Sequence, residues 1–157
     1  VPQDGAVASA SPLADPRAVT VDSKGNIYVL ERGGHAMRVV DKAGTIRTLI
    51  APAGSTHSAT PATAKVEPDL NGPKHLCVDR NDNVIIADAE NSLIRKYDPK
   101  TRKTSIIAGT GKPGAEIVAD DPLRTQLNRP HGVYVHTSGA LYITDSYNHR
   151  ILKLTGW

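Results

Sequence analysis

Phenylalanine is absent, and the chain has one cysteine, one methionine and one tryptophan among 157 residues. With Cys77 alone, no internal disulfide is available, and the residue says little about compartment. No stretch approaches the roughly 20 apolar residues that span a bilayer as a helix, so no membrane association is expected. The first residues lack a charged-then-apolar leader, and they lack a methionine, since Met37 is the only one. The expectation is a processed or excised product, or a mature form. The compartment stays open, with a lean to a secreted or periplasmic setting. Charge of one sign is not in excess: the formal net charge of +3 permits an acidic partner without demanding one. The length suffices for one domain, residues 1–157, with a real core.

What the chain does have is repetition. "RPHGVYVHTSGALYITDSYNHRILKL", from Arg129 to Leu154, aligns with "GPKHLCVDRNDNVIIADAENSLIRKY" and with "DPRAVTVDSKGNIYVLERGGHAMRVV". Pro16, Pro73 and Pro130 anchor the three copies, with the same interval between first and second as between second and third, and no gaps. Leu13, Leu70 and Leu127 stand three positions before each Pro. Glu31, Asp88 and Asp145 share one column; Gly34, Asn91 and Asn148 share another.

Within a copy, apolar residues recur at every second position, which specifies strands. Four short strands per copy predict blades at about 13–51, 70–108 and 127–157. The innermost strands are expected near Ala18–Asp22, His75–Asp79 and Gly132–His136. "DSKGN", "DRNDN" and "HTSGA" supply hairpin turns. The carboxylate ending strand two can accept turn N–H bonds, and the Asn or Gly three residues later tolerates positive φ. Most of these residues are therefore structural punctuation. Four antiparallel strands, repeated, are the pattern of a propeller, so the fold class is all-β, with β-propeller blades.

"LNGPKHLCVDRNDNVIIADAENSLIRKYD" and "LNRPHGVYVHTSGALYITDSYNHRILKL" resemble NHL repeats: Leu-x-x-Pro, a strand, a turn, an apolar strand, then Asp-x-x-Asn-x-x-Ile. The first copy departs, with Glu31 for Asp and Gly34 for Asn. The resemblance implies a propeller, commonly six-bladed, with mostly binding functions and a few enzymatic relatives.

Three blades cannot close a ring, because propellers take four to eight. An open half-ring would expose apolar faces too large for a soluble monomer. The third copy also stops after its third strand. A homodimer is therefore expected, pairing through blade edges, with the N-terminal strand Asp4–Ala10 completing the partner's third blade. The other reading is a fragment of a longer six-repeat chain. The joining segments after Ala51 and Ala108 are long and rich in Gly, Pro, Ser and Thr, and such loops are often functional. Helical turns are tolerated only there, around Pro61–Val66 and Leu123–Leu127.

One face collects the joining loops, the starts of strand one and the ends of strand two. The candidate ligand site is on it: Arg17, Lys74, His75, Glu90, His131 and Tyr147 around the channel mouth. The blade pattern also resembles propeller-type amidating lyases, whose zinc-binding His follows such a Pro. Only His131 matches that position, where Arg17 and Lys74 stand in the other copies, and zinc wants three or four ligands. No metal and no cofactor is expected. Cys77 sits mid-strand as a small apolar filler, no serine has a nucleophile-elbow setting, and no catalytic residue is assigned. Basic residues on the loop face are interleaved with acids and aromatics are few, so nucleic acid is not the expected partner. The expected function is a non-catalytic scaffold binding a protein, peptide or glycan. The alternatives are a lyase- or lactonase-like propeller enzyme, with or without a metal, and an RNA-binding NHL module.

Overall fold

A computed structural model describes residues 2–52 and 69–157. Blade one holds β1 (Pro16–Val21), β2 (Ile27–Glu31), β3 (Ala36–Val40) and β4 (Ile46–Ile50) in chain order. Blade two holds β5 (His75–Val78), β6 (Val84–Asp88), β7 (Leu93–Asp98) and β8 (Lys103–Ala108). Blade three holds β9 (Gly132–Val135), β10 (Leu141–Asp145) and β11 (Arg150–Leu154). All neighbouring strands are antiparallel. A bulge falls at Met37/Arg38 in blade one and at the equivalent Ile94/Arg95 in blade two.

The first hairpin turn is built the same way in each copy. Asp22 Oδ1 accepts the N–H groups of Lys24 and Asn26, and Asp79 Oδ1 accepts those of Asn81 and Asn83. In blade three His136 stands in: its Nδ1 accepts the Ser138 N–H at 3.1 Å. Burial alone would raise the Asp22 carboxyl, but the donors from Asn26, Lys24 and Tyr28 outweigh it and hold it below the usual range. The turn requires left-handed backbone at Gly25, Asp82 and Gly139, with φ of 80°, 66° and 87°, conformations that suit Gly and Asp.

The carboxylate column does more than close its own turn. Glu31, Asp88 and Asp145 are fully buried. Each accepts a backbone N–H from the entry to its own blade, at Ala14, Asn71 and Asn128. Each also faces an arginine: Arg38 on Glu31, Arg95 on Asp88, Arg150 on Asp145, all at 2.7 Å. So the column pins the entry to strand one onto the end of strand two. The predicted positive φ at Gly34, Asn91 and Asn148 is not there. It falls one residue later, at His35, Ser92 and His149, with φ of 48°, 52° and 53°. Asn91 and Asn148 instead donate to Asp88 and Asp145.

Each blade has a back face toward the preceding blade and a front face toward the next. Between blades one and two, Leu30 and Met37 pack against Leu76, Val84 and Ile86. Between blades two and three, Ile85 and Ile94 pack against Val133, Leu141 and Ile143. The two remaining faces carry the same columns without a neighbour. On the back of blade one, Val19 is 63% exposed and Val21 52%, whereas Leu76 and Val133, in the Val19 column, are 2% and 3% exposed. On the front of blade three, Tyr134 is 58% and Ile151 62% exposed, whereas Met37 and Ile94, in the Ile151 column, are at 0%.

Asp4–Ala10 is not a strand. Val7 makes one antiparallel bridge to Thr45, and Ala8–Ala10 is a 3-10 turn. The segment lies along β4 of its own blade, with Gly5 N–H donating to Ile46 O and Asp4 Oδ1 accepting from Thr48 N and Oγ1. Ile46 and Thr48, which it bonds, are buried. Helical turns are not confined to the joining loops: 3-10 turns form at Ala8–Ala10 and Ser146–Asn148. In the second joining loop one hydrogen-bonded turn overlaps the expected place, Thr125 N–H donating to Asp121 O, and Leu127 makes a bridge; Pro61–Val66 lies outside the described residues.

Candidate functional site

The column directly after each anchor proline places Arg17, Lys74 and His131 at the starts of the three innermost strands. The column at the strand-two ends places Glu90 and Tyr147 beside them. Their shared centre is a residue outside the predicted set, Arg129. Its Nη1 donates to the Tyr147 hydroxyl at 2.9 Å, and its Nη2 donates to Glu90 Oε1. Its guanidinium lies 4.7 Å from the centre of the Tyr147 ring, a cation–π distance. His131 meets the same ring edge-on, with centroids 5.8 Å apart.

The backbone explains why Arg129 reaches this position. Asp15, Gly72 and Arg129 precede the anchor prolines, and all three are left-handed, with φ of 52°, 50° and 46°. Gly72 was the sequence signal for that conformation. Gly72 also makes room: a Cβ there would come within 2.5 Å of Glu90 Cγ. A cleft of about 310 Å³ opens beside it, lined by Arg32, Gly33, His35, Asn71, Gly72 and Glu90.

The local charge is unbalanced. Lys74 is surrounded by Arg32, Arg17 and Arg129, with Glu90 the opposing carboxylate. Burial and then those cations, against the pull of Glu90, hold its ammonium below the usual range. His131 is held below its usual range by burial first, then by Lys74 and Arg129, so at neutral pH its ring is uncharged. Two buried nitrogens here, Arg129 Nε and His131 Nε2, have no hydrogen-bond partner among the described residues.

His75 departs from the expected cluster. It opens β5 and faces blade three, where its Nδ1 accepts the Val133 N–H at 3.5 Å. It belongs to the seam between blades. Cys77 is partly buried on the same strand, and burial pushes its thiol up to about 11, which keeps it protonated and unreactive. Among the described residues, no three His, Cys, Asp or Glu side chains gather as metal ligands. The charged groups acting on His131 are chiefly cations, which repel a metal ion.

A family model described as the Teneurin NHL domain matches residues 2–156. The chain belongs to that family. NHL repeat-containing protein 2 from Homo sapiens is 31% identical over 153 residues, covering 92% of this chain and 20% of the human protein. An auxiliary nutrient binding protein from Bacteroides thetaiotaomicron superposes with a TM-score of 0.66 at 19% identity, over 86% of this chain and 36% of that one. Virginiamycin B lyase from Staphylococcus aureus superposes with a TM-score of 0.61 at 15% identity, over 91% and 39%. This NHL chain thus spans about a fifth of the human relative and under two fifths of either solved propeller. At these identities the structural likenesses establish the fold alone.

Proposed function

We propose that this NHL chain is a non-catalytic binding scaffold, completed to a six-bladed ring by a second copy, whose channel mouth holds a protein, peptide or glycan ligand. The observation that carries the binding reading is the convergence of Arg17, Lys74, Glu90, Arg129, His131 and Tyr147 from three blades on one face. These groups supply donors, charge and one aromatic surface, which is what recognition needs. Arg129, Glu90 and Tyr147 hold one another, and no base is hydrogen-bonded to a nucleophile among them. The same fold carries a nutrient binding protein from Bacteroides thetaiotaomicron and a lyase from Staphylococcus aureus, so the side chains of this mouth, and not the fold, favour binding.

The assembly reading follows from the two bare faces. A second copy would lay the back of its blade one on the front of this blade three, and the reverse, by two-fold symmetry. The left-handed column supports that junction. His35 Nδ1 accepts the Gly72 N–H at 3.0 Å, and Ser92 Oγ accepts the Arg129 N–H at 3.5 Å, each clasping the next blade. His149 has the same backbone conformation and is exposed. Its counterpart across the junction would be Asp15 of the second copy. Closure is therefore assigned to the faces, since Asp4–Ala10 already lies on β4.

Peptide and glycan arrays probed with the native chain and with a His131→Ala/Tyr147→Ala double variant test the site. Ligands bound by the native chain should be lost by the variant. Binding that survives both substitutions would place the site elsewhere.

A further inference from the structure

We propose that the centre of the mouth is a site for a compact oxyanion, a carboxylate or phosphate group, held by Lys74, Arg17 and by Arg129 Nε and His131 Nε2, which have no hydrogen-bond partner among the described residues. The inference rests on the reading that the mouth binds a ligand and names the chemistry of the group at its centre.

Three features of the mouth lead to it. Position comes first: Arg17, Lys74 and His131 occupy one column of the repeat, so three successive blades place a cationic or N–H-bearing side chain at equivalent strand starts. The second is charge. Lys74 and His131 both lie in the field of Arg17 and Arg129, and among the described residues Glu90 is the main carboxylate opposing them. That carboxylate is already bonded to Arg129, which leaves the positive charge of Lys74 and Arg17 in excess there. The third is hydrogen bonding. Arg129 uses both terminal nitrogens, on Tyr147 and Glu90, and its Nε–H is buried without an acceptor among the described residues. His131 Nε2 is likewise buried and unpaired. A buried donor with no acceptor is costly, and an oxyanion would accept from Arg129 Nε–H and from His131 Nε2 in the state in which that nitrogen carries the proton.

A stacked nucleic-acid strand fits less well. Single-strand binding needs free aromatic faces, and the Tyr147 ring is already covered by the Arg129 guanidinium and met by the His131 ring. A compact anion asks for no stacking surface.

The consequence is a coupled titration. An anion beside His131 stabilises the imidazolium, so it raises the His131 midpoint, and its own affinity rises as pH falls through that midpoint. The whole chain is titrated by NMR, following the histidine rings, in chloride alone, with inorganic phosphate, with citrate, and with a short uridine RNA. The expected result is an upward shift of the His131 midpoint by phosphate or citrate, with His136, in the first hairpin turn of blade three, unmoved. The arm that moves it identifies the source as phosphate or carboxylate. Lys74→Gln should weaken the effect about tenfold, the loss of one charge-assisted bond, and Arg17→Gln should weaken it in the same direction. The proposal is overturned if neither small anion moves His131, if RNA alone moves it, or if Lys74→Gln leaves the shift intact. An unmoved His131 together with array binding that still depends on His131 and Tyr147 would remove the oxyanion site and leave the scaffold reading standing.

Discussion

Replacing Ile151 with glutamate should separate the proposed two-copy ring into single chains. Ile151 is 62% exposed on the front face of blade three, while Met37 and Ile94, one and two repeats earlier, are wholly buried against the following blade. In the proposed ring Ile151 would come under the back face of the second copy's blade one, where Val19 and Val21 are also exposed in the single chain. The Ile151→Glu change would bury a carboxylate among apolar groups, with no cation assigned to meet it. An unpaired buried charge costs at least about 3 kcal/mol. Two-fold symmetry repeats the cost at the second junction, so the association should weaken by a factor of thousands or more. The substitution leaves the internal junctions untouched, and the circular dichroism of the strands should not change. Sedimentation velocity reads the outcome. A variant that keeps the native mass at micromolar concentration would show that this face is not the junction.

The second large effect is on stability. Asp88→Ala should cost about 3–5 kcal/mol, the range for breaking a buried pair from one side. Asp88 and Arg95 are 0% and 1% exposed, and Asp88 also receives the Asn71 N–H and the Asn91 amide. Burial raises the Asp88 carboxyl against the opposing pulls of Arg95, Asn71 and Asn91, so the pair is a specifier of geometry more than a source of net stability. Its loss removes the carboxylate facing Arg95 and frees the entry to blade two. An exposed pair such as Arg47–Asp41, whose arginine is 54% exposed, should contribute no more than about 1 kcal/mol. Urea unfolding of the two variants, Asp88→Ala and Arg47→Ala, compares them directly, since Asp41 also accepts the turn N–H groups of Ala43 and Thr45. Equal midpoints would contradict the pinning role of the column.

The blade architecture was legible because one period recurs in anchors, turns and strands together. The alternation places the inner strands of blades two and three at their observed first residues, and that of blade one slightly late, at Ala18 against Pro16. The carboxylate column was legible as structure, but its target was not. Its bonds reach back across two strands to Ala14, Asn71 and Asn128, and no local pattern reports that. Blade three shows a further substitution: Leu152 occupies the arginine column of Arg38 and Arg95, and Arg150 reaches Asp145 from the start of β11. The N-terminal segment was misread because alternating small apolar residues look like a strand. The bonds between Asp4 and Thr48 are distant in sequence, and they hold the segment against β4. At the mouth, column position alone predicts that Arg17, Lys74, Glu90, His131 and Tyr147 gather on one face, and they do so. Arg129 was missed because a residue before proline is ordinarily extended, and only Gly72 in its column hinted at left-handed backbone. His75 stands one position along the pleat from Lys74 and faces blade three instead of the Arg129 cluster, since neighbouring residues of a strand point to opposite faces.

Three blades are proposed as half of a ring that a second copy completes. The mass of the particle in solution tests it most directly, by light scattering on the chain at micromolar concentration. A ring of two copies gives a monodisperse species of twice the 16.7 kDa chain mass; a stable monodisperse monomer contradicts it.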